Sequence, residues 1–451
     1  MARKRPINAE LPPAPEAPEP QRASEIDHAG AGSKSDARQP RRQRRPIPGA
    51  LKGIAVLVAF AVVFLAAAVL GGGSGEESGE PAPAPTSEAQ SAEAEAPKTP
   101  TAEAAEKLGY PSFATNNTTR VGGSDSAEIA AAVSLAVFPS STPAQRPAAV
   151  AVVDEDDWQG AVAASVLMAE PARAPLLVSS DGALPDASAQ ALAALDPRGT
   201  DATQGTQAFA VGQGATPDGL KTTEVGGGDP AAEAATIAGL RERLAGAPPK
   251  RIVLVSESEP EFAVPAAAWA ARSGDPVLFA TADKLPATTA KALRAHPKTP
   301  VYVLGPSSAI SSDVFREVDK LAGRVRRVAG ETAVENAIAL ARYASGGFGW
   351  NVNDPGHGFV VAREDDPLAA TASSPLSASG TWGPLLLTDD AATLPKPLRE
   401  YLLSVKPGYT TDPTRAFYNH VWVIGDQDAI DVNQQAEIDE LAELAKIKGS
   451  E

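Results

Sequence analysis

A chain of 451 residues with a formal net charge of −16 and no cysteine has no disulfide bridges, no thiol catalysis and no thiolate metal site. The charge is unevenly spread: up to Lys52 there are eleven Lys/Arg against six Asp/Glu, which leaves 29 against 50 for the remainder. So acidic a body argues against nucleic acid as a partner, because phosphate binding needs a basic surface.

Residues 1–50 are rich in Pro, Ala and charge and poor in aromatics, a composition that cannot bury enough surface to offset chain entropy. They read as a disordered basic tail. Ile54 to Leu70 is then seventeen apolar residues without a charge, and residues 51–73 together reach the roughly twenty that a bilayer core requires. Arg41, Arg42, Arg44, Arg45 and Lys52 precede the run, and Glu76, Glu77 and Glu80 follow it. That bias predicts a single transmembrane helix with a cytoplasmic N-terminus and the C-terminal bulk outside. A cleaved leader is the competing reading, but its charged region would run to about fifty residues, far beyond a usual signal peptide. Residues 74–109 are Gly, Pro, Ala, Glu and Ser, the composition of an extended, self-repelling spacer.

The remaining residues carry an internal repeat, the first thing to seek in a chain of this length. Thr119 to Gly123 reads TRVGG, Thr223 to Gly227 reads TEVGG and Arg326 to Gly330 reads RRVAG. The last glycines, Gly123, Gly227 and Gly330, are 104 and then 103 residues apart. Each leads into an Ala-rich segment of helical apolar spacing, with Asp125, Asp229 and Thr332 at the N-cap position. A β-branched run follows near Val150, Arg251 and Gly358, and then an acidic cluster: Asp154 to Asp157, Glu257 to Glu261, Glu364 to Asp366. After a second helix comes an apolar strand opening on Pro175, Pro276 or Pro384. Leu-Pro pairs end at Pro185, Pro286 and Pro395, and closing strands end at Gly212, Gly305 and Gly425.

Apolar strands without polar alternation, separated by helices, predict parallel sheets covered on both faces. The expected architecture is α/β: three tandem Rossmann-like modules at residues 110–220, 221–322 and 323–451.

These landmarks resemble the type 2 cell-wall-binding repeat of Gram-positive surface proteins, usually present as three tandem copies. The first copy carries Arg120, Val121, Gly122, Gly123, Asp125, Glu128 and Ala130 of the opening pattern; the second carries Gly227 and Asp229; the third carries Arg327, Val328, Gly330, Glu335 and Ala337. Pro175-Leu176-Leu177, Pro276-Val277-Leu278 and Pro384-Leu385-Leu386 match the family's P-I-L-L element. The arginine that follows the family's aspartate is absent, replaced by Ser126, Pro230 and Ala333, and the paired glycines of the closing strand are broken. The resemblance implies a pseudo-threefold arrangement and noncovalent attachment to an anionic cell-wall polymer or peptidoglycan. It implies polymer-binding roles for Arg120, Asp125, Asp229, Arg327 and the three triplets. The protein is thus expected in the membrane with its modules at the wall.

An acidic head on an anionic polymer is an electrostatic conflict. Attachment needs either local basic sites, such as Arg324, Arg326 and Arg327, or divalent cations bridged by the acidic turns. Asp154, Asp156, Asp157, Glu364, Asp365 and Asp366 offer hard oxygen ligands, although a solvated loop after a strand explains such acids as well. No resident cofactor is expected. His28, His296, His357 and His420 show no metal-ligand spacing, and no nucleophile elbow or phosphate loop is present. No catalytic residue is assigned. The alternatives are an extracytoplasmic small-molecule receptor, with ligand at the strand C-termini, or a wall-modifying enzyme with an unrecognised site.

Overall fold

The structure, a computed structural model, describes residues 113–114, 116–379 and 382–447. The basic tail, the apolar run Ile54 to Leu70 and the spacer lie outside the described residues. Among the described residues no helix is long and apolar enough to cross a membrane.

The chain begins with β1 (Phe113–Ala114), β2 (Thr118–Val121) and α1 (Ser126–Val137). Next come β3 (Val150–Asp154), α2 (Trp158–Ala164), β4 (Leu176–Ser179), α3 (Asp186–Leu195), β5 (Ala208–Val211) and β6 (Thr222–Val225). The middle third holds α4 (Pro230–Ala245), β7 (Ile252–Ser256), α5 (Pro260–Ala263), α6 (Pro265–Ser273) and β8 (Val277–Ala280). It continues through α7 (Ala287–Ala295), β9 (Pro300–Leu304), α8 (Ser312–Asp319) and β10 (Arg324–Val328). The last third opens with α9 (Ala333–Arg342), β11 (Gly358–Arg363), α10 (Pro367–Ala372), α11 (Ser374–Ala378) and β12 (Leu385–Thr388). It ends with α12 (Lys396–Ser404), β13 (Gly408–Tyr409), β14 (His420–Ile424), α13 (Val432–Ala442) and β15 (Ala445–Lys446).

The strands form three main sheets, ordered β4-β3-β5-β6, β8-β7-β9-β10 and β12-β11-β14-β2-β1, and β13 pairs separately with β15. Every pairing is parallel except β1 with β2. The central strands, VAVVD, IVLVS and GFVVAR, are buried on both faces, which is why they read as continuous apolar runs. The Leu-Pro landmarks fall at the entries of α3, α7 and α12, where Pro185, Pro286 and Pro395 are the N-cap residues.

Sheet membership does not follow the spacing of the repeat. β6 pairs with β5 and β10 with β9, so the strand opening each interval completes the sheet before it. A boundary at 220/221 or 322/323 therefore runs between paired neighbours. The first such strand, β2, has no earlier sheet and pairs with β14, more than three hundred residues away in sequence. After each edge strand the chain crosses to the next sheet: α1 packs on β4, α4 on β8 and α9 on β12. The glycines allow this crossing. A Cβ on Gly123 would lie 2.7 Å from Ile129 Cγ1, so the strand end and the first helical turn meet only where no side chain intervenes.

The first sheet also lacks a helix between its third and edge strands, where Gly212 to Gly219 supplies Gly and Pro instead. α1 is buried over most of its length, Ala127 and Ile129 to Leu135 included. Small alanines let it lie between the first sheet and α10. One core cluster draws residues from all three sheets, from Val153 through Val253 to Ile424.

Candidate functional site

The helices after the acidic turns meet the crossing helices end to end: α2 touches α4, α5 touches α9, and α10 touches α1. These three seams bring the C-terminal ends of all three sheets to one side of the molecule. In the sixth position after each repeat glycine stand Ile129, Glu233 and Asn336, all buried. Ile129 makes its seam apolar. Asn336 accepts from the Gly330 amide at 3.4 Å and donates to Phe262 O at 3.2 Å, tying α9 to α5. Glu233 accepts from the Gly227 amide at 3.0 Å and faces Asp157. Burial first, and the Asp157 charge second, push its carboxyl up to about 7.

The acidic turns lie along this side. Burial raises Glu257, Glu259 and Glu364, and neighbouring acids add to it: Asp229 for Glu257, Glu261 for Glu259, Asp389 and Glu261 for Glu364. The expected ligand carboxylates mostly have local partners. Asp157 caps α2 through Gly160 N at 2.7 Å, and Asp366 caps α10 through Ala369 N at 2.9 Å while accepting from Ser126 Oγ. Asp365 pairs with Arg363, and Asp154 accepts from the Asp156 amide. Among the described residues no group of three or more His, Asp or Glu is placed to hold a metal ion. At the end of β5 the cleft where an open α/β sheet takes its ligand is filled by the crossing helix α4. Gly212, just after β5, abuts Glu233 of α4.

The residues expected to touch polymer fall into three places. Arg120 is buried, and its guanidinium donates to Gly425 O, Asp426 O, Ile430 O and Gln435 Oε1. It clamps β2 onto the end of β14 and the start of α13. Half-buried Arg327 does the same for β10, donating to Gly305 O, Pro306 O and Ile310 O at 2.7–2.9 Å. The corresponding residue of β6 is Glu224, which is exposed. Asp125 and Asp229 are exposed N-caps, accepting from Glu128 N and Ala232 N. Pro175, Leu176, Leu177, Pro276, Val277, Leu278, Pro384, Leu385 and Leu386 are all buried, at or just before β4, β8 and β12.

Four arginines sit at the opposite end. Arg243, Arg272, Arg294 and Arg342 occupy the last turns of α4, α6, α7 and α9, whose C-termini return to the strand starts. Acids at the helix N-termini and bases at the C-termini both complement the helix dipole. They also give the head one acidic and one basic end. Arg324 and Arg326 extend the basic end along β10. Both are exposed, and neither forms an ion pair among the described residues. Sequence spacing pointed to a repeat but not to this separation of charge, which appears only once strand direction is known.

Residues 224–315, which lie within the second repeat interval, match the family Cell wall binding domain 2 (CWB2). Among solved structures the chain is similar to Cwp8 from Clostridium difficile, at 19% identity and a TM-score of 0.54 over 73% of this chain and 52% of that one. It is also similar to Cwp6 from Clostridium difficile, at 17% identity and a TM-score of 0.56 over 72% and 47%. At such identities the likeness is one of fold, and this chain spans about half the length of those structures. No curated protein matches the sequence.

Proposed function

We propose that the chain is a membrane-anchored cell-wall-binding protein, with Ile54 to Leu70 as its anchor and the α/β head holding wall polymer noncovalently. The match of residues 224–315 to a cell wall binding domain carries this reading. The head is read as three copies of one unit about a pseudo-threefold axis. The shared strand order, the repeated seams and the packing of residues 165–168, α6 and α11 on one another support that view.

The conflict between an acidic head and an anionic polymer is met by orientation. The polymer meets the basic end, with Arg324 and Arg326 as free cations, while the acidic turns face away. Exposed charge on β10 also blocks edge-to-edge pairing of sheets. A bridging divalent cation is then unnecessary. The test is co-sedimentation with purified cell walls, with and without a chelator. Protein that stays in the supernatant in both arms rules out wall attachment, and pelleting that needs a divalent cation rules out the direct basic contact.

A further inference from the structure

Three of the five tryptophans gather at the basic end, at the junction of the second and third sheets. Trp269 lies on α6, Trp350 precedes β11 and Trp382 precedes β12. Together with Arg272 and His357 they line an open groove of about 370 Å³. An adjoining pit of about 300 Å³, lined by Met168, Arg173, Ala271 and Ala378, shares Trp382 and Arg272 with it. Trp269 and Trp350 meet edge to face at 5.6 Å, which fixes the inner wall.

Two features of the groove invite a partner from outside. Trp382 is 52% exposed, a costly setting for a large ring. Arg272 lies 4.2 Å from that ring centre and forms no ion pair among the described residues.

We infer that this groove is a subsite for one pyranose ring carrying an anionic substituent. A pyranose has an apolar C–H face that lies flat on an indole, and here a carboxylate or phosphate for the Arg272 guanidinium. Its size falls in the range of small-ligand clefts. The net charge of −16 argues against a nucleobase, the other flat ring that stacks on tryptophan. The inference rests on the wall-binding reading only for the source of the sugar.

The full-length protein is titrated with hyaluronan tetrasaccharide, for the carboxylate, and with N-acetylglucosamine 1-phosphate, for the phosphate. Tryptophan emission and saturation-transfer NMR report binding. A saturable change with at least one probe is expected, weakened about ten-fold in Trp382→Ala and in Arg272→Gln. Residues 272 and 382 are exposed, so those two variants fold. No saturable change with either probe, or unchanged affinity in both exposed variants, overturns the inference. Co-sedimentation with walls runs in parallel. Wild-type protein that pellets without any sugar response sinks the groove alone, and protein that binds sugar without pelleting sinks wall attachment alone.

Discussion

Glu233 and Asp157 meet carboxyl to carboxyl across the seam between α4 and α2, where burial and the Asp157 charge hold the Glu233 carboxyl up to about 7. The geometry leaves little alternative. Glu233 already accepts from Gly227 N, Asp157 already accepts from Gly160 N, and two charges so close in a buried site repel strongly.

This pair makes stability depend on pH with a definite sign. The folded state holds the Glu233 proton up to about 7, against an ordinary glutamate value of 4.5. A raised carboxyl pKa contributes stability that is fully present below the unfolded value and is lost as pH rises through the folded one. The melting temperature should therefore fall across that window. Glu233→Gln keeps an acceptor for Gly227 N and a permanent donor for Asp157, so it should flatten the profile and raise the melting temperature by a few degrees at alkaline pH. A thermal melt series over pH reads this directly. Identical profiles for the two proteins would show that Glu233 is not the group responsible.

Gly160 sets how closely the two helices approach. A Cβ there would collide with the Asp157 and Glu233 carboxyls. Gly160→Ala should cost about 1–3 kcal/mol, the usual price of overpacking, measured by urea denaturation. It should also blunt the pH response by forcing the carboxyls apart.

Arg120 joins the ends of the folded region. Arg120→Met removes the donor for three carbonyls and one amide oxygen, with an expected loss on the order of 3 kcal/mol. Arg120→Lys should recover little of it, because an ammonium lacks the planar fork. Hydrogen exchange should accelerate first in Thr118–Val121 and His420–Ile424. Uniform acceleration over all three sheets would contradict a local clamp.

Arg324 and Arg326 are exposed, so Arg324→Ser with Arg326→Ser should leave the melting temperature within about a degree. Wall pelleting should weaken in that double variant and lose much of its salt sensitivity, since exposed charges are screened over about 10 Å at 0.1 M salt. Unchanged pelleting at every salt concentration would move the contact surface elsewhere.

Much of the fold was legible because parallel strands buried on both faces leave apolar runs, and tight strand-to-helix crossings leave glycines. The helix starts at Asp125, Asp229 and Thr332 were readable for the same local reason: each side chain accepts a first-turn amide. Sheet membership was not legible. Nothing within Thr118–Val121 says whether it opens a sheet or completes one, since the partner of Arg120 is the turn at Gly425 to Ile430. The proline-led triplets were marked by resemblance, and their burial follows from the same apolarity that identified them as strands. The groove was hidden for a different reason. Trp269, Trp350 and Trp382 are scattered through the sequence with no common spacing, and only the junction of two sheets assembles them.

The pairing of β2 with β14 also governs the order in which the head is completed. Asn117 bonds to Asp439, 322 residues onward. A chain synthesised from its first residue keeps an unfinished sheet edge waiting until almost the last helix has emerged. The middle sheet draws on neighbours close in sequence, whereas the closing one needs contacts more than three hundred residues apart, and pairings of such separation form slowly.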